Sequence, residues 1–130
     1  MITGLCEVTL RARDLDGLAR FYAEAVGLEV ISRDDDRIWL AIGDRGRLGL
    51  WTPGEKEFGD QGGVHVHFAM AVQPGSLGQK AQRLTARGVD VEGPIEHPGG
   101  DRSIYFRDVE GNVAELWDFF ERQTVAAPAG

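Results

Sequence analysis

Two stretches decide how this chain folds: residues 5–13 read LCEVTLRAR and residues 63–72 read GVHVHFAMAV. Each alternates apolar and polar side chains, which is typical of a half-buried β-strand. The segments that follow them also correspond, since residues 5–52 and 63–118 run through the same order of elements with matching landmark residues. The chain is therefore predicted to contain two copies of one module.

Each predicted strand is followed by a helix and three further strands. Asp14 is the predicted N-cap of a helix that reaches Val26 and stops at Gly27, and Ser76 is the predicted cap of a helix that ends at Gly88. The remaining predicted strands are residues 28–32, 38–43 and 47–52 in the first copy and residues 90–92, 102–107 and 112–118 in the second. Each module therefore reads βαβββ, and the predicted fold class is α+β.

The length of 130 residues, with 42% hydrophobic and 27% charged residues, is typical of one ordinary globular domain. Within that single domain, residues 1–130, module 1 covers about residues 5–52 and module 2 about residues 63–118. The Gly-rich, charged stretch PGEKEFGDQG, residues 53–62, is the predicted linker, and residues 119–130 form a C-terminal tail.

The charge and cysteine content exclude several classes of partner. With 21 acidic and 14 basic residues the net charge is −7, so nucleic acid and anionic membranes would be repelled. The chain lacks an apolar stretch of the roughly 20 residues that a membrane span needs, and it begins without the features of a secretory signal. We therefore expect a cytoplasmic protein that binds a small molecule. Cys6 is the single cysteine, and strand alternation predicts that it is buried and inert.

One helix covers one side of each predicted sheet, and the opposite side is left open. Period-two alternation places polar and aromatic residues of both copies on that open side. Overlaying the copies pairs Glu7 with His65, Thr9 with His67, Gly49 with Glu115, Trp51 with Trp117, and Trp39 with Tyr105. We expect these side chains to converge on one concave surface.

These residues resemble the vicinal oxygen chelate superfamily, which contains glyoxalases, bleomycin-resistance proteins and extradiol dioxygenases. The resemblance extends over residues 4–118 and is carried by RDL (13–15), FY (21–22), GL (27–28), HVHF (65–68) and YFRDVEGNVAEL (105–116). It implies two βαβββ modules that form an eight-stranded, cup-shaped mixed sheet, usually in a homodimer, with a divalent metal at the floor of the cup.

The resemblance also implies a ligand set for the metal. Carried over residue by residue, the family's ligand positions are Glu7, Gly49, His65 and Glu115, of which Gly49 offers no side chain. We therefore expect a three-ligand site of Glu7, His65 and Glu115. Two carboxylates and one imidazole favour manganese or iron(II) over zinc, because harder ligands favour harder cations.

Further residues on the open side are assigned to catalysis or to the substrate pocket. His67 is interpreted as a ligand, an orienting residue, a proton shuttle or a plain surface histidine, and Tyr105 and Glu115 complete the predicted catalytic set. The predicted pocket consists of Thr9, Arg11, Trp39, Trp51, Arg102, Tyr105 and Trp117, with both arginines as candidates for clamping an anionic group. The segment Glu92 to Asp101 is predicted to be a loop that overhangs the site, with His97 as a contributor.

Two functions remain open on the sequence. The first is a metal-dependent lyase, isomerase or dioxygenase that acts on a small substrate with two neighbouring oxygens. The second is a metal-free protein that binds a cationic aromatic drug against the tryptophans, like the bleomycin-resistance members. The thiol transferases of fosfomycin resistance are set aside, because Ile95 and Thr124 stand where that resemblance requires basic residues.

Overall fold

The strands and helices of the chain form two units of the same design. They are seen in a computed structural model that describes residues 1–54 and 66–118. The first unit comprises Met1–Val66 with Asp108–Gly111, and the second comprises His67–Arg107 with Asn112–Gly130. His65, most of the predicted linker and the predicted tail lie outside the described residues.

The first unit contains one helical segment and four strands. In chain order these are β1 (Glu7–Arg11), α1 (Leu15–Arg20) continuing as a π-helical segment (Phe21–Val26), β2 (Glu29–Arg33), β3 (Arg37–Ile42) and β4 (Gly46–Trp51). The sheet order is β1-β4-β3-β2, with β1 parallel to β4 and the other pairs antiparallel. The parallel pair follows from the helix that carries the chain back over the sheet after β1.

The second unit repeats this arrangement. Its elements are β5 (His67–Ala71), α2 (Leu77–Ala86), β6 (Val91–Glu96), β7 (Arg102–Arg107) and β8 (Val113–Trp117). The sheet order is β5-β8-β7-β6, again with one parallel pair, β5 with β8. The predicted α+β class and the predicted βαβββ module are confirmed.

The predicted N-cap of the first helix is confirmed, whereas the predicted N-cap of the second helix makes a different hydrogen bond. The Asp14 carboxylate accepts a hydrogen bond from the Gly17 backbone N–H at 3.0 Å, as an N-cap should. Ser76 stands at the N-cap position of α2, but its hydroxyl donates to the Gln73 carbonyl at 2.7 Å. The predicted capping bond is wrong there, because a serine hydroxyl can bond the preceding turn instead.

Two other expectations are corrected by the structure. The predicted loop from Glu92 is strand β6 as far as Glu96, with a register shift between Glu92 and Ile95. The bulge accommodates Pro94, which has no N–H to donate to the ladder. Cys6 is exposed rather than buried, because β1 begins only at Glu7.

Each sheet buries one of its sides under its helix. In the first unit the buried side chains of β3 and β4 are Ile38, Leu40, Leu48 and Leu50, and in the second unit Ile104, Ala114 and Leu116 have the same role. Leu18 of α1 and Leu77 and Leu84 of α2 are buried with them. Each buried leucine or isoleucine among them contributes about 1.5–3 kcal/mol on burial, so these sides stabilise the units while the opposite sides do not contribute to this core.

The turn between β7 and β8 packs against the first helix. The Tyr22 hydroxyl donates to Asp108 at 2.7 Å in a buried hydrogen bond. Glu110 accepts the backbone N–H of Asp14 at 2.9 Å and pairs with Arg13 at 3.5 Å. These bonds lower the pKa of Glu110, the backbone N–H of Asp14 first, although burial opposes the shift.

Candidate functional site

The open side of the second sheet, here the second face, carries a polar cluster around Glu115. The register places Tyr105, Glu115 and Ala69 side by side across β7, β8 and β5. The Glu115 side chain is only 4% exposed, and His67 Nε2 lies 3.2 Å from its Oε1 atom. A carboxylate buried in a largely apolar strand needs such partners, because an isolated one costs several kcal/mol.

Tyr105 completes this contact from the neighbouring strand. Its ring lies 5.4 Å from the His67 ring in an edge-to-face arrangement. Partial burial raises the pKa of Tyr105, and the charge of Glu115 and a hydrogen bond to its carboxylate raise it further, while a hydrogen bond with Ser103 lowers it. The phenol therefore stays protonated at neutral pH and remains a hydrogen-bond donor.

The cluster extends along β7 to Ser103, which the sequence analysis did not assign to the site. Ser103 is fully buried, and its hydroxyl lies 3.0 Å from His97 Nε2. Trp117 donates its indole N–H to Asp101 at 2.7 Å, and its ring lies 5.4 Å from that of His97. The His97–Ser103 contact therefore lies along the same strand as Tyr105, whose ring contacts His67 beside Glu115. The available signal for Ser103 was its position two residues before Tyr105, on the same side of the strand.

The open side of the first sheet, here the first face, carries a different set of groups. The register forms three rows across β1, β4 and β3: Arg11, Trp51 and Arg37; then Thr9, Gly49 and Trp39; then Glu7, Arg47 and Ala41. Strand β2 adds Glu29 beside Ala41. Arg11 and Arg37 therefore occupy one end of this face, here the arginine end, and Glu7 and Glu29 lie at the other end in the same row as Arg47.

The two tryptophans of the first face meet over Gly49. Their ring centroids are 6.3 Å apart at an interplanar angle of 83°. A Cβ at Gly49 would lie 2.7 Å from Trp39 and 3.1 Å from Trp51 Nε1, so only glycine leaves room for both rings. Gly49, which has no side chain to bind a metal, therefore makes room for the two tryptophan rings.

Guanidinium groups cover the tryptophan rings. Arg11 and Arg37 have Cζ 5.3 Å and 4.4 Å from the Trp51 centroid, and Arg47 has Cζ 5.4 Å from that of Trp39. These are cation–π distances. The sequence analysis did not single out Arg37, although it lies two residues before Trp39 and therefore on the same side of β3.

The other predicted site residues are placed as follows. Glu7 is exposed on β1 and accepts a hydrogen bond from the Thr9 hydroxyl. Arg102 lies between Asp101 and Ser103 at a strand position that alternates with Ser103 and Tyr105, so the register does not bring it to the second face. His65 lies outside the described residues.

The second face offers part of a metal-ligand set. A carboxylate such as that of Glu115 is a ligand type for divalent cations, and its Oε1 atom lies 3.2 Å from His67 Nε2. In the part of the chain that the structure describes, no three His, Cys, Asp or Glu side chains group closely enough to hold an ion. Glu115 therefore suits a metal chemically, and the predicted ligand His65 lies outside the described residues.

A family model agrees with the fold. The model of the Glyoxalase/Bleomycin resistance protein/Dioxygenase superfamily matches residues 4–116. The chain belongs to this superfamily. The predicted resemblance is confirmed over nearly the whole length of both units.

Individual members of the superfamily are similar along most of the chain. The fosfomycin resistance protein FosX of Listeria monocytogenes is 29% identical over 121 residues, covering 89% of this chain and 90% of that protein. The integron cassette protein HFX_CASS4, from the mobile metagenome of a Halifax Harbour sewage outfall, has a TM-score of 0.75 and 27% identity, covering 89% of this chain and 98% of its own. Lactoylglutathione lyase of Agrobacterium tumefaciens has a TM-score of 0.73 and 26% identity, covering 89% of this chain and 93% of its own.

Among the described residues, neither helix is long and apolar enough to cross a membrane.

Proposed function

We propose that this chain is a metal-dependent enzyme of the superfamily that acts on a small substrate with two neighbouring oxygens. The observation that carries the proposal is the buried Glu115 carboxylate with His67 and Tyr105 arranged around it. A carboxylate in this position adds nothing to the apolar core and is costly to bury, so a role in binding accounts for it better than a role in folding.

Glu7, His65 and Glu115 are the proposed ligands. When bound, a divalent ion would act as a Lewis acid toward the substrate oxygens. The set of two carboxylates and one imidazole favours manganese or iron(II) over zinc.

The neighbouring residues have roles that follow from their contacts. His67 lies within 3.2 Å of Glu115 and orients its carboxylate, and as an imidazole it is suited to accept a substrate proton. Tyr105, protonated at neutral pH because its pKa is raised, donates a hydrogen bond either to Glu115 or to a substrate oxygen. Thr9 holds the Glu7 carboxylate through its hydroxyl.

The contacts of the first face argue against the metal-free alternative with a cationic aromatic drug. On this face such a drug would have to stack on Trp39 or Trp51, whose rings are already in contact with three guanidinium groups, whereas Trp117 lies on the second face. A positive ligand would be repelled there. The fosfomycin resistance of FosX makes fosfomycin a reasonable first compound for assays, beside substrates with vicinal oxygens.

The proposal is tested by thermal unfolding with and without metal. Protein loaded with manganese or iron(II) should melt at a higher temperature than chelator-treated protein, since an ion that binds only the native state stabilises it. His65→Ala and Glu115→Ala should each abolish the increase. An unchanged melting temperature with every divalent ion tested would contradict the proposal.

Glu7 is tested separately, because a histidine is commonest at this position in the family that the chain resembles. Glu7→Gln should weaken metal binding markedly, and Glu7→His should retain binding with a preference shifted toward zinc. Glu96→Gln is the matched control, because Glu96 is also an exposed strand glutamate. If Glu7→Gln binds metal as well as Glu96→Gln does, Glu7 is not a ligand.

We further propose that the protein is a homodimer, as the family resemblance implies. Static light scattering at micromolar concentration is the test, and a monomer mass would contradict it.

A further inference from the structure

Arg37 and Trp51, at the arginine end of the first face, have unsatisfied donors. Arg11 and Arg37 stand on either side of Trp51 in the register, and both contact its ring. Within the described residues, Arg37 Nε and Trp51 Nε1 are buried and have no hydrogen-bond partner. Buried donors without acceptors are rare in native proteins, because each costs the desolvation of the group.

The two guanidinium groups also lie close to each other. Their distances to the Trp51 centroid, 5.3 Å and 4.4 Å, place the two Cζ atoms within about 10 Å of each other. Salt does not fully screen charges at that separation. Glu7 and Glu29 lie two rows away, about 13 Å along the strands at 3.3 Å per residue.

We propose that Arg11 and Arg37, on either side of Trp51, bind a small oxyanion, namely a carboxylate, phosphate or phosphonate group of the substrate. Guanidinium groups bind such oxygens through paired N–H donors, and the indole N–H of Trp51 adds a further donor. The Trp51 ring is in contact with both guanidinium groups, so the site takes a compact anion rather than a stacked aromatic ring.

The inference rests on the proposed function in one respect, that the anion belongs to the substrate of the same protein. Anion binding itself requires no metal and is measured in the presence of chelator. If metal does not bind but the anions do, the proposed metal chemistry is wrong and the anion site remains. If metal binds but the anions do not, only the anion site is wrong.

Anion binding can be followed by tryptophan fluorescence, because the buried Arg37 Nε–H lies beside Trp51. Arg37 can direct its Nε–H to an anion only if its guanidinium group turns away from its present position, which changes its contact with Trp51. The chain has three tryptophans, so a Trp117→Phe background leaves only the pair on the first face to fluoresce. Titration with inorganic phosphate, methylphosphonate and oxalate at low ionic strength should give a saturable change in that fluorescence. Calorimetry on the unsubstituted chain should give the same dissociation constant.

Matched variants separate a site from general charge attraction. Arg37→Gln and Arg11→Gln should each weaken binding about tenfold or more, and Arg37→Lys should restore it only in part, because lysine keeps the charge and loses the paired donors. Arg45→Gln removes the same charge from an exposed turn and should change binding by less than about twofold. Circular dichroism verifies that each variant is folded.

Three results would overturn the inference. These are no saturable response to any of the three anions, equal weakening by Arg45→Gln and Arg37→Gln, and binding of tetramethylammonium in place of the anions. The last result would indicate that the tryptophans accept a cation and would restore the cationic drug as a ligand.

Discussion

Replacing Gly49 with alanine gives a direct test of the aromatic pair on the first face. The added Cβ would lie 2.7 Å from Trp39 Cζ3, whereas ordinary contact begins at 3.4 Å. The rigid indole would have to move by about 0.7 Å, and Trp51 Nε1 at 3.1 Å restricts movement on the other side. Overpacking of this kind typically costs about 1–3 kcal/mol of unfolding free energy.

Urea denaturation followed by far-ultraviolet circular dichroism measures that cost. Gly49→Ala should lower the midpoint with an unchanged slope, and near-ultraviolet circular dichroism should change because the 83° arrangement of the two rings is disturbed. Gly78→Ala is the control, since a Cβ at that helix position meets nothing within 4 Å. It should be neutral or stabilise by up to about 1 kcal/mol.

The reasoning would be refuted if Gly49→Ala matched Gly78→Ala in stability and retained the near-ultraviolet spectrum of the parent protein. Trp39 would then not lie over Gly49. The arrangement of the first face, and with it the oxyanion site, would have to be revised.

Three further predictions concern titrating groups and the buried turn. Tyr22→Phe removes the buried 2.7 Å hydrogen bond to Asp108 and should cost about 1–3 kcal/mol in urea denaturation, whereas a loss below about 0.3 kcal/mol would mean that the bond is exposed or poorly formed. The backbone N–H of Asp14 lowers the pKa of Glu110 below 4.5, so its ionised form stabilises the fold above that value and this stability is lost as the pH falls through the lowered pKa. Glu110→Gln should therefore melt at a lower temperature than the parent at neutral pH, and the difference between the two melting temperatures should shrink as the pH falls below 4.5. A difference that stays constant in acid would contradict the assignment. Both tyrosines of the chain have a pKa raised above 10.0, Tyr22 chiefly by burial. The neutral phenols therefore stabilise the folded state below pH 10, and this contribution is lost as the pH rises through the raised pKa values. Ultraviolet titration should show no tyrosine ionising near pH 10 in the folded protein, and Glu115→Gln should bring Tyr105 closer to 10.0; a normal titration in the parent would exclude the contact.

Short-range pattern was sufficient for much of this protein. Alternation in β1, β4, β5 and β8 predicted which side chains leave the core, since successive residues of a strand point to opposite sides. The first helix was predicted from Asp14 to Gly27 because a capping carboxylate and a glycine with φ of 97° are local requirements. The two-copy repeat then predicted the βαβββ order of both units.

Other features depend on residues that are distant in sequence. The contact of His67 with Glu115 joins positions 48 residues apart, and no local pattern sets that distance. The same applies to Glu110, which bonds the cap of a helix 96 residues earlier, although its own segment reads as a simple turn. Arg37 entered the candidate site only because strand register sets it opposite Trp51.

The remaining differences have a shared physical cause. Two prolines and three glycines between Glu92 and Asp101 suggested a loop, yet a bulge lets β6 continue through Gly93 and Pro94 because pairing with β7 outweighs local preference. The sequence by itself thus determined which side chains each strand presents, because that follows from the two-residue period of the backbone. Which of those side chains meet, and which of them are left with unsatisfied donors, was decided by tertiary structure, because strand pairing brings together residues that are distant in sequence.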